Sequence, residues 1–442
     1  MNIALLGFGA EGQAALKYWQ KPDNQITICD QNQALVLPEG VDGQLGPDYL
    51  KGLDRFDLIV RSPGLKPSDI DATVLAKVTT VTNEFYKICP TKNIIGVTGT
   101  KGKGTTSTLI YEILKAAGQT VHLGGNIGVP ALSLLEAGIQ ANDWVVLEQS
   151  SFQLSDQKHS PHIAVCLMVV PEHLNWHTDM DDYLHAKQNL FAHQTETDIV
   201  VFNRNNAQSQ QVVSVSPAAS RISYEVPGPG AEPKQTTGAY LKGDTIYMDD
   251  VAVCQASDIA LLGRHNIENV CAAIAATWQI IGQNPSIIQQ VVRNFKGLEH
   301  RLELVRTIGS TNFYNDSFAA TPEAAGAAIE AISGNKVLIL GGFDRQLDLS
   351  GLAQSVSAHQ TELTKVLLIG ESAQRLSEAL SKAGFENYSV SKAETMKDIV
   401  TQAFEAMPAN GSVILTPGFA SFDMFKNFED RGNQFKQAVL AL

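Results

Sequence analysis

A glycine-rich segment between an apolar run and a helical pattern constrains this chain more than any other feature. Residues 96–105 read GVTGTKGKGT; they follow a predicted buried strand over 94–97 and precede a helical apolar stripe over 106–117. A strand, a glycine-rich turn and a helix N-terminus direct backbone N–H groups at one point, where the helix dipole favours an anion and Lys103 adds a positive charge. An ordinary tight turn would need neither two lysines nor four glycines. The segment therefore predicts a site for the phosphates of a nucleoside triphosphate.

The spacing inside this segment departs from the common phosphate-loop pattern. Gly104 stands where Ser or Thr normally follows the lysine, so Thr105 is the hydroxyl expected to face a magnesium ion. Magnesium prefers hard oxygen ligands, and Glu148, at the end of a predicted strand, is a second candidate. His173 follows another apolar run and is either a further ligand or an ordinary loop histidine. Because ligands gather at the carboxyl ends of strands in open α/β sheets, Lys103, Glu148 and His173 are expected to converge.

Composition places the chain among soluble globular proteins and narrows the range of partners. Its 442 residues are enough for two or three domains, and no apolar stretch approaches the ~20 residues of a membrane span. The N-terminus lacks the basic segment of a secretory signal, and the five cysteines are scattered, so we expect reduced thiols and a cytoplasmic protein. A formal charge of −13 argues against nucleic acid as a partner.

Apolar runs and turn signals predict three consecutive α/β domains, over residues 1–90, 91–297 and 298–442. In the second domain, short alternating runs over 199–262 and the turn Gly243-Asp244 predict hairpins that flank the main sheet. In the third domain, three buried strands of the parallel type are predicted over 336–340, 365–369 and 412–415.

A second glycine-rich turn lies near the start of the first domain. Residues 7–12 read GFGAEG and fit G-x-G-x-x-G after a predicted strand, with Asp30 roughly 20 residues downstream. The phosphates of almost any nucleotide would suit that helix N-terminus, so the residues alone leave NAD and another nucleotide diphosphate equally open. A later turn, Ser62-Pro63-Gly64, follows another predicted strand of this domain.

Further candidate residues lie around the boundary between the second and third domains. Asn266 and Asn269 are three positions apart on a predicted helix, where they either bind a ligand or cap the helix. Arg301 could clamp a triphosphate when domains close, and Asp316 could contact a ribose or order water. Ser421 stands among aromatic residues that form either a small-ligand pocket or a packed loop.

Three side chains near the phosphate segment are assigned to solvent by the residues alone. Lys187 lies in a helix predicted over 181–192 and is expected to be a solvated lysine. His177 and His185 are expected at the surface. None of the three is needed for the phosphate site that the glycine-rich segment predicts.

Several segments, taken together and in order, resemble the Mur ligases of peptidoglycan precursor synthesis, and among them the member that adds glutamate to UDP-N-acetylmuramoyl-L-alanine. The segments are GTKGK at 99–103, GGNIG at 124–128, LEQSSFQL at 147–154, EHLNWH at 172–177, HNIEN at 265–269, GLEHR at 297–301, NDS at 315–317 and KNFEDRGN at 426–433. The second segment and the SSFQL part of the third are specific to the glutamate-adding member. The phosphate loop alone would also fit the folylpolyglutamate synthetases.

The resemblance implies a Rossmann-like first domain, a central P-loop-type ATPase domain and a Rossmann-like third domain that closes on ATP. It implies ATP-dependent amide ligation through an acyl phosphate, with ATP and two Mg²⁺ ions as cofactors. It also implies that Lys187 is carbamylated and helps to hold the second metal. The first domain would hold UDP rather than NAD, and the protein would be a cytoplasmic monomer acting on small molecules.

The resemblance further assigns roles to residues of this chain. The ATP-binding set is Gly99, Thr100, Gly102, Lys103, Gly104, Thr105, Asn266, Asn269, Arg301 and Asp316. The metal ligands are Thr105, Glu148, His173 and Lys187, and the last three form the catalytic set with Lys103. The UDP portion is assigned to Gly9, Asp30, Ser62, Pro63 and Gly64, the muramoyl-alanine part to Asn126, Ser150 and Gln153, and glutamate to Arg345, Ser421 and Phe428.

The chain departs from the family pattern at several positions. Lys101 and Asn175 replace an asparagine and an aspartate, Phe318 follows the NDS segment, and Arg345 replaces a lysine associated with the glutamate carboxylate. Arginine still grips a carboxylate, but from a different distance. The last two changes leave open the preference for D- or L-glutamate. The alternatives are a folylpolyglutamate-type ligase and a nucleotide-binding regulator that does not catalyse.

Overall fold

The computed structural model describes residues 1–261, 263–345, 347–408 and 410–442, so Leu262, inside the segment of predicted hairpins, lies outside the described residues. The protein is a mixed α/β fold with three sheets. It divides into two compact units, of which the first holds residues 1–260 and 264–295 and the second holds 261–263 and 296–442. One sheet falls within each of the three predicted domain ranges, and the domain boundaries themselves stay a prediction.

The first sheet is parallel and has the strand order β3-β2-β1-β4-β5. Its strands are β1 (Asn2–Leu6), β2 (Gln25–Asp30), β3 (Asp42–Leu45), β4 (Leu58–Arg61) and β5 (Val78–Thr79), accompanied by the helices α1 (Ala10–Trp19) and α2 (Val81–Ile88). The order 3-2-1-4 is that of dinucleotide-binding sheets, in which ligands bind where the strand order reverses. That point lies between β1 and β4, so the loops after these two strands face the same crevice.

The central sheet has nine strands in the order β14-β13-β12-β11-β10-β9-β6-β8-β7. The strands are β6 (Ile94–Thr98), β7 (Val121–Gly125), β8 (Trp144–Glu148), β9 (Ile163–Cys166), β10 (Ile199–Asn203), β11 (Ser220–Glu225), β12 (Ala239–Lys242), β13 (Thr245–Met248) and β14 (Val251–Gln255). The helices are α3 (Lys103–Ala116), α4 (Ser151–Leu154), α5 (Met180–Gln188), α6 (Ala207–Val213), α7 (His265–Thr277) and α8 (Pro285–Asn294).

The prediction of hairpins over 199–262 is wrong for its first half. β10 and β11 pair in parallel and extend the main sheet, because the short polar helix α6 crosses between them. β12, β13 and β14 do form antiparallel hairpins at the edge of the same sheet, with the predicted turn at Gly243 between the first two. Short alternating runs predict the strands but do not distinguish a hairpin from a brief crossover.

The sheet of the second unit has the order β15-β16-β20-β17-β18-β19, parallel except for β15. Its strands are β15 (Glu303–Ile308), β16 (Thr311–Asn315), β17 (Lys336–Gly341), β18 (Leu363–Ile369), β19 (Tyr388–Val390) and β20 (Gly411–Leu415). The helices are α9 (Pro322–Ala331), α10 (Ser350–Ala358), α11 (Ala373–Lys382), α12 (Met396–Glu405) and α13 (Phe428–Leu440). The three predicted strands of this sheet are confirmed, each to within two residues at either end.

Alternation along the strands builds a separate core on each face of this sheet. Leu338 and Leu340 of β17 pack with α9, α10 and α11, whereas Val337 and Ile339 pack with α12 and α13. In the first unit one core is shared by two sheets, since Leu5 of β1 and Leu147 of β8 belong to the same cluster. Within the described ranges no helix combines the length and the apolar character that crossing a membrane requires.

Candidate active site

The glycine-rich segment forms the predicted strand–loop–helix turn. β6 ends at Thr98 and α3 begins at Lys103, so the helix starts three residues earlier than its apolar stripe indicated. Gly99 and Gly102 take φ values of +149° and +88°, which side chains rarely adopt. A Cβ at Gly102 would lie 2.3 Å from Asn269 Oδ1, so glycine is required for α7 to pack against the loop.

Asn266 and Asn269 are buried beside this loop, as parts of α7. Asn269 Nδ2 donates to Asn266 Oδ1 at 2.9 Å, and the Thr106 hydroxyl donates to Asn269 Oδ1 at 3.3 Å. The two amides therefore lie next to the first turn of α3. Whether they contact a nucleotide stays a prediction.

Two lysine side chains converge on one carbonyl of the loop. Lys103 Nζ donates to Gly99 O at 3.2 Å and to Thr100 O at 2.9 Å, and Lys187 Nζ donates to the same Gly99 O at 2.9 Å. Positive charge is thus concentrated where backbone N–H groups begin α3. A polyanion is the ligand that such an arrangement favours.

The prediction that Lys187 is solvated is wrong, because its side chain is only 1% exposed. α5 turns it inward, and its Nζ lies 4.4 Å from the centre of the Tyr183 ring, one turn earlier on the same helix. Burial, and next the charge of Lys103, lower the pKa of Lys187 to about 7. A large share of this amine is therefore uncharged near neutral pH, which is the nucleophilic form of a lysine.

Thr100 fixes the outer side of the loop to the chain that follows β9. Its N–H donates to Met168 O at 2.8 Å, and its hydroxyl donates to Val170 O at 3.0 Å and lies 2.9 Å from the Tyr183 hydroxyl. β9 itself ends at Cys166, although the apolar run of the sequence continues to Val170. The residues after the strand serve as partners of the loop and lead the chain towards His173.

Glu148 lies at the same edge of the sheet as the phosphate loop. It is the last residue of β8, pairs with Val97 of β6, and is 5% exposed. Its Oε1 accepts a 2.7 Å hydrogen bond from Asn126 Nδ2, and its carbonyl accepts from Asn126 N at 2.8 Å. A Cβ at Gly125 would lie 2.2 Å from that carbonyl, so this approach depends on glycine. Asn126, expected to contact substrate, is thus positioned by Glu148.

His173 occupies a tight turn at this edge. Its φ is +59°, and its carbonyl accepts from the N–H groups of Trp176 and His177, both at 2.9 Å. Burial lowers the pKa of His173; Glu172 opposes that effect, and the ammonium groups of Lys103 and Lys187 add to it. The ring is therefore neutral near pH 7, which is the form that binds metals. The predicted convergence of His173 with Lys103 and Glu148 stays a prediction.

The prediction that His177 lies at the surface is also wrong. Its side chain is fully buried, with Nε2 3.0 Å from Ser151 Oγ and Nδ1 3.2 Å from Asp182 Oδ2. Its ring packs against Phe152 and Trp176. The four-residue spacing from His173, with Trp176 between the two histidines, is a sequence signal that could have indicated this burial.

The residues at this edge fit a magnesium ion that arrives with a nucleotide. Among the described residues, no three or more His, Cys, Asp and Glu side chains are grouped to hold a metal by themselves. Magnesium is usually bound by one or two carboxylates plus substrate phosphates, keeping several waters. The buried Glu148 carboxylate at the end of β8 supplies oxygens of that kind. So does the hydroxyl of Thr105, which lies in the first turn of α3.

The residues assigned to UDP meet in the crevice of the first sheet. Asp30 Oδ2 accepts from Phe8 N at 2.9 Å, and the Ser62 hydroxyl donates to Gly7 O at 3.0 Å. Gly9 caps the start of α1, and a Cβ there would meet no atom within 4 Å. The carbonyl of Gly64 accepts a 3.2 Å hydrogen bond from Trp176 Nε1. The loops after β1 and β4 are thus joined, with open space beside the helix N-terminus.

Ser150 and Gln153, the other residues assigned to substrate, form a capping box at the start of α4. The Ser150 hydroxyl accepts from Gln153 N at 3.3 Å, while Gln153 Oε1 accepts from Ser150 N at 3.0 Å. Gln153 Nε2 donates to Glu11 Oε1 at 2.6 Å, in the glycine-rich turn of the first sheet. The capping box explains why α4 begins here, and the hydrogen bond from Gln153 to Glu11 connects α4 to that turn.

In the second unit, Asp316 is held at the carboxyl end of β16. Its Oδ2 accepts from the Thr416 hydroxyl at 2.8 Å and its Oδ1 from Leu302 N at 3.0 Å. Burial raises its pKa to about 7, although these hydrogen bonds and the charge of Arg301 oppose the rise. Asp316 therefore titrates near neutral pH rather than standing as a permanent carboxylate.

The other expected ligands of this unit lie around Asp316. Arg301 is exposed above the Phe318 ring, with its guanidinium carbon 5.8 Å from the ring centre, and Phe318 packs edge-on against Phe428. Arg345 is exposed and donates to Ala320 O at 2.6 Å. Ser421 is buried in the loop after β20. The loops that carry these side chains lie at the carboxyl edge of one sheet.

Arg431 is a residue of this edge that the sequence did not single out, although it lies in the KNFEDRGN segment. It is 0% exposed and donates from Nε to Ser317 Oγ at 2.9 Å and from Nη1 to Phe419 O at 3.1 Å. Burial lowers its pKa to about 10. A buried arginine of this kind joins the loops after β16 and β20 to α13.

Comparison with known proteins relates the whole chain to one family. The model of the Mur ligase middle domain matches residues 97–277, and that of the Mur ligase glutamate ligase domain matches 300–419. The UDP-N-acetylmuramoylalanine–D-glutamate ligases of Acetivibrio thermocellus and Clostridium tetani are 36% and 33% identical to this chain. In both cases the match covers 99% of this chain and 96% of the relative.

Solved structures share the fold at low identity. MurF ligase from Thermotoga maritima, solved in complex with ADP, is 15% identical with a TM-score of 0.58, covering 99% of this chain and 98% of that one. A crystal structure of MurF from Acinetobacter baumannii is 16% identical with a TM-score of 0.59, covering 87% and 85%. At such identities the likeness concerns the fold alone.

Proposed function

The chain belongs to the Mur ligase family, and from that premise we propose that it is the ATP-dependent ligase that joins D-glutamate to UDP-N-acetylmuramoyl-L-alanine in peptidoglycan precursor synthesis. The observation that carries the chemistry is the pair of lysines on Gly99 O, at 3.2 Å for Lys103 and 2.9 Å for Lys187. The Lys103 ammonium at a glycine-rich helix N-terminus suits the β- and γ-phosphates of ATP, and the buried Lys187 amine beside it, with a pKa of about 7, is the group proposed below for carbamylation.

The reaction has two steps. In the first, an oxygen of the alanine carboxylate attacks the γ-phosphorus of ATP, the bond to the β-phosphate oxygen breaks, and ADP leaves. In the second, the amine nitrogen of D-glutamate attacks the acyl carbon, the bond from that carbon to the phosphate oxygen breaks, and phosphate leaves as the nitrogen loses a proton. Both steps develop negative charge on phosphate oxygens, so positioned cations supply the catalysis.

The residues of the first unit take complementary parts in this scheme. Lys103 neutralises charge on the γ-phosphoryl group, and Asn266 and Asn269 hold the loop beside the nucleotide. Glu148, Thr105 and His173 would hold the Mg²⁺ ions that arrive with ATP, and the bound metal would supply charge neutralisation during phosphoryl transfer. Thr105 and Glu148 supply hard oxygens and His173 a neutral ring, which fits this assignment.

Lys187 is proposed to be carbamylated. The neutral amine adds its nitrogen lone pair to the carbon of CO₂ and loses a proton, so that the buried side chain becomes a carbamate anion. Its pKa near 7 and its burial beside Lys103 favour that reaction, because the anion formed would offset the neighbouring positive charge. The carbamate would then help to hold a second metal ion.

The remaining assignments follow the same scheme. The loops after β1 and β4, with Asp30 and Ser62, receive the UDP portion, and Asn126, Ser150 and Gln153 face the muramoyl-alanine part. Arg301 and Asp316 serve ATP, while Arg345, Ser421 and Phe428 receive glutamate. The ranges 1–90, 91–297 and 298–442 are proposed as the three domains that carry these roles.

The decisive experiment offers the purified protein ATP, Mg²⁺ and UDP-N-acetylmuramoyl-L-alanine with D-glutamate, L-glutamate or other amino acids. We expect phosphate release and a product heavier by one glutamyl residue only when all components and D-glutamate are present. Phosphate release that ignores the UDP-sugar would overturn the proposal. A folate acceptor serves as the matched alternative, although the relatives do not favour a folylpolyglutamate-type ligase. Monomeric state and cytoplasmic location stay predictions.

A further inference from the structure

An arginine at the end of β4 is completely buried between two loops of the first unit. Arg61 is 0% exposed and directly precedes the turn Ser62-Pro63-Gly64. Its Nη1 donates to Leu65 O at 2.6 Å and to Ser62 O at 3.1 Å. The guanidinium therefore closes the turn that the proposed function assigns to UDP.

The opposite side of the same guanidinium holds the carboxyl end of α4. Nε donates to Asp156 Oδ2 at 2.8 Å and Nη2 donates to Asp156 Oδ1 at 2.6 Å, a bidentate pair. Nη2 also donates to Phe152 O at 3.0 Å and to Ser155 Oγ at 3.2 Å. All three guanidinium nitrogens are thus used to join one turn of the first sheet to α4.

α4 lies between residues assigned to the substrate and a proposed metal ligand. Ser150 and Gln153 at its start are assigned to muramoyl-alanine, and Gln153 also donates to Glu11 Oε1 at 2.6 Å. The Phe152 ring lies 4.8 Å from the His173 ring, between ring centres. A displacement of α4 would therefore move both the substrate side and the proposed metal ligand.

Stability alone does not account for such an ion pair. Burying the Arg61 guanidinium beside Asp156, which is 19% exposed, costs desolvation energy that the attraction of such a pair often fails to repay, and apolar residues of similar volume frequently do as well or better. A bidentate pair does fix geometry, because both its distance and its plane are set. The geometry fixed here is that between the turn at 62–64 and α4.

We propose that Arg61, through Asp156, is a positioning residue that sets the distance between the UDP-binding turn and the acyl end of the substrate. The inference rests on the proposed function, since it concerns the same substrate. When UDP is held in the crevice of the first sheet, this link determines whether the alanine carboxylate reaches the γ-phosphate. Arg61 does not need to touch the substrate for this effect.

Two variants test the link. Arg61→Lys keeps the charge but loses the fork, and the double change Arg61→Met with Asp156→Leu removes both charges, so that no buried ion stands alone. For each, kcat and the KM of every substrate are measured, with the Kd of ADP by calorimetry and Tm. We expect KM for UDP-N-acetylmuramoyl-L-alanine to rise about tenfold and kcat to fall by a similar factor. KM for ATP and the Kd of ADP should stay within about twofold.

A role in stability alone would lower Tm and leave the substrate constants of the folded enzyme unchanged, and that result would overturn the proposal. An equal rise in the KM of every substrate would overturn it as well. Arg293→Met is the control for the loss of a paired arginine elsewhere in the same unit, because Arg293 of α8 is exposed and pairs with Asp258 at 2.9 Å. If the wild-type protein forms no product, the proposed function fails; if it does and both Arg61 variants keep the wild-type KM, only the positioning role fails.

Discussion

The carboxyl edges of the two larger sheets present their functional groups in different ways. At the central sheet, Glu148 and Lys187 are 5% and 1% exposed, and each is held by a hydrogen bond to the surrounding loops. At the sheet of the second unit, Arg301 and Arg345 are exposed, and the neighbouring Phe318 is 53% exposed. Only Asp316 is buried among the ligands expected for ATP there.

This difference matches two kinds of task. Charge development on a transferring phosphoryl group is best met by groups that are already fixed and desolvated, because they need not reorganise during the reaction. Solvent-exposed charges interact weakly with their partners, since water screens them. We therefore expect substitutions at the central edge to cost far more activity than those at the exposed edge.

The largest effect is expected for Lys103→Met. Removing the ammonium beside Gly99 and Thr100 should lower kcat by on the order of 10³, while the KM of the UDP-sugar changes little. Phosphate release with all three substrates measures the loss, and Tm verifies folding. Lys101→Met is the control, because Lys101 lies two residues earlier in the same loop and is exposed. A Lys103 variant with near wild-type turnover would remove the basis of the comparison.

Lys187→Met is expected to lower kcat by on the order of 10². Because the pKa of Lys187 is about 7, its neutral form, and with it the carbamate formed at a fixed CO₂ concentration, should increase as pH rises through 7. ¹³C NMR with labelled bicarbonate should show a carbamate signal in the wild type that Lys187→Met lacks. An identical signal in both proteins would place the modification on another lysine. No signal in the wild type, with activity independent of bicarbonate, would refute carbamylation.

The sequence predicted this edge well where the signal is local. Glycine positions and apolar runs gave β6, the loop and α3, because each depends on neighbours within a few residues. The burial of Lys187 and His177 was missed, since it comes from the packing of α4 and α5 against the loop. Arg61 and Arg431 were missed because they bond to residues 95 and 114 positions away. Pattern reasoning has no access to such distant contacts.

Asp316 is the buried one of the two residues that are expected to bind ATP at the exposed edge. The effect of its burial can be tested by measuring stability at different pH values. Its pKa is raised to about 7 in the folded protein, so the unfolded chain loses this proton at lower pH than the folded one. Stability from this group is therefore greatest below pH ~4 and decreases as pH rises towards 7, by a few kcal/mol at most. Asp316→Asn should abolish that decrease. The measurement is Tm of both proteins at pH 5 and 8; an equal shift in the two would contradict the raised pKa.

The smallest effect is expected at Arg345, and it bears most directly on the exposed edge. Arg345→Met should raise the KM for D-glutamate about fivefold and leave kcat and the KM for ATP nearly unchanged, because an exposed ion pair contributes only about 1 kcal/mol. Arg345→Lys should recover most of the affinity, since the charge remains although the bidentate grip is lost. Initial rates at varied D-glutamate measure both. If Arg345→Met instead lowered kcat as much as Lys103→Met, the exposed edge would take part in the chemical step. Exposure would then no longer distinguish the groups that bind the amino acid from the groups that promote phosphoryl transfer.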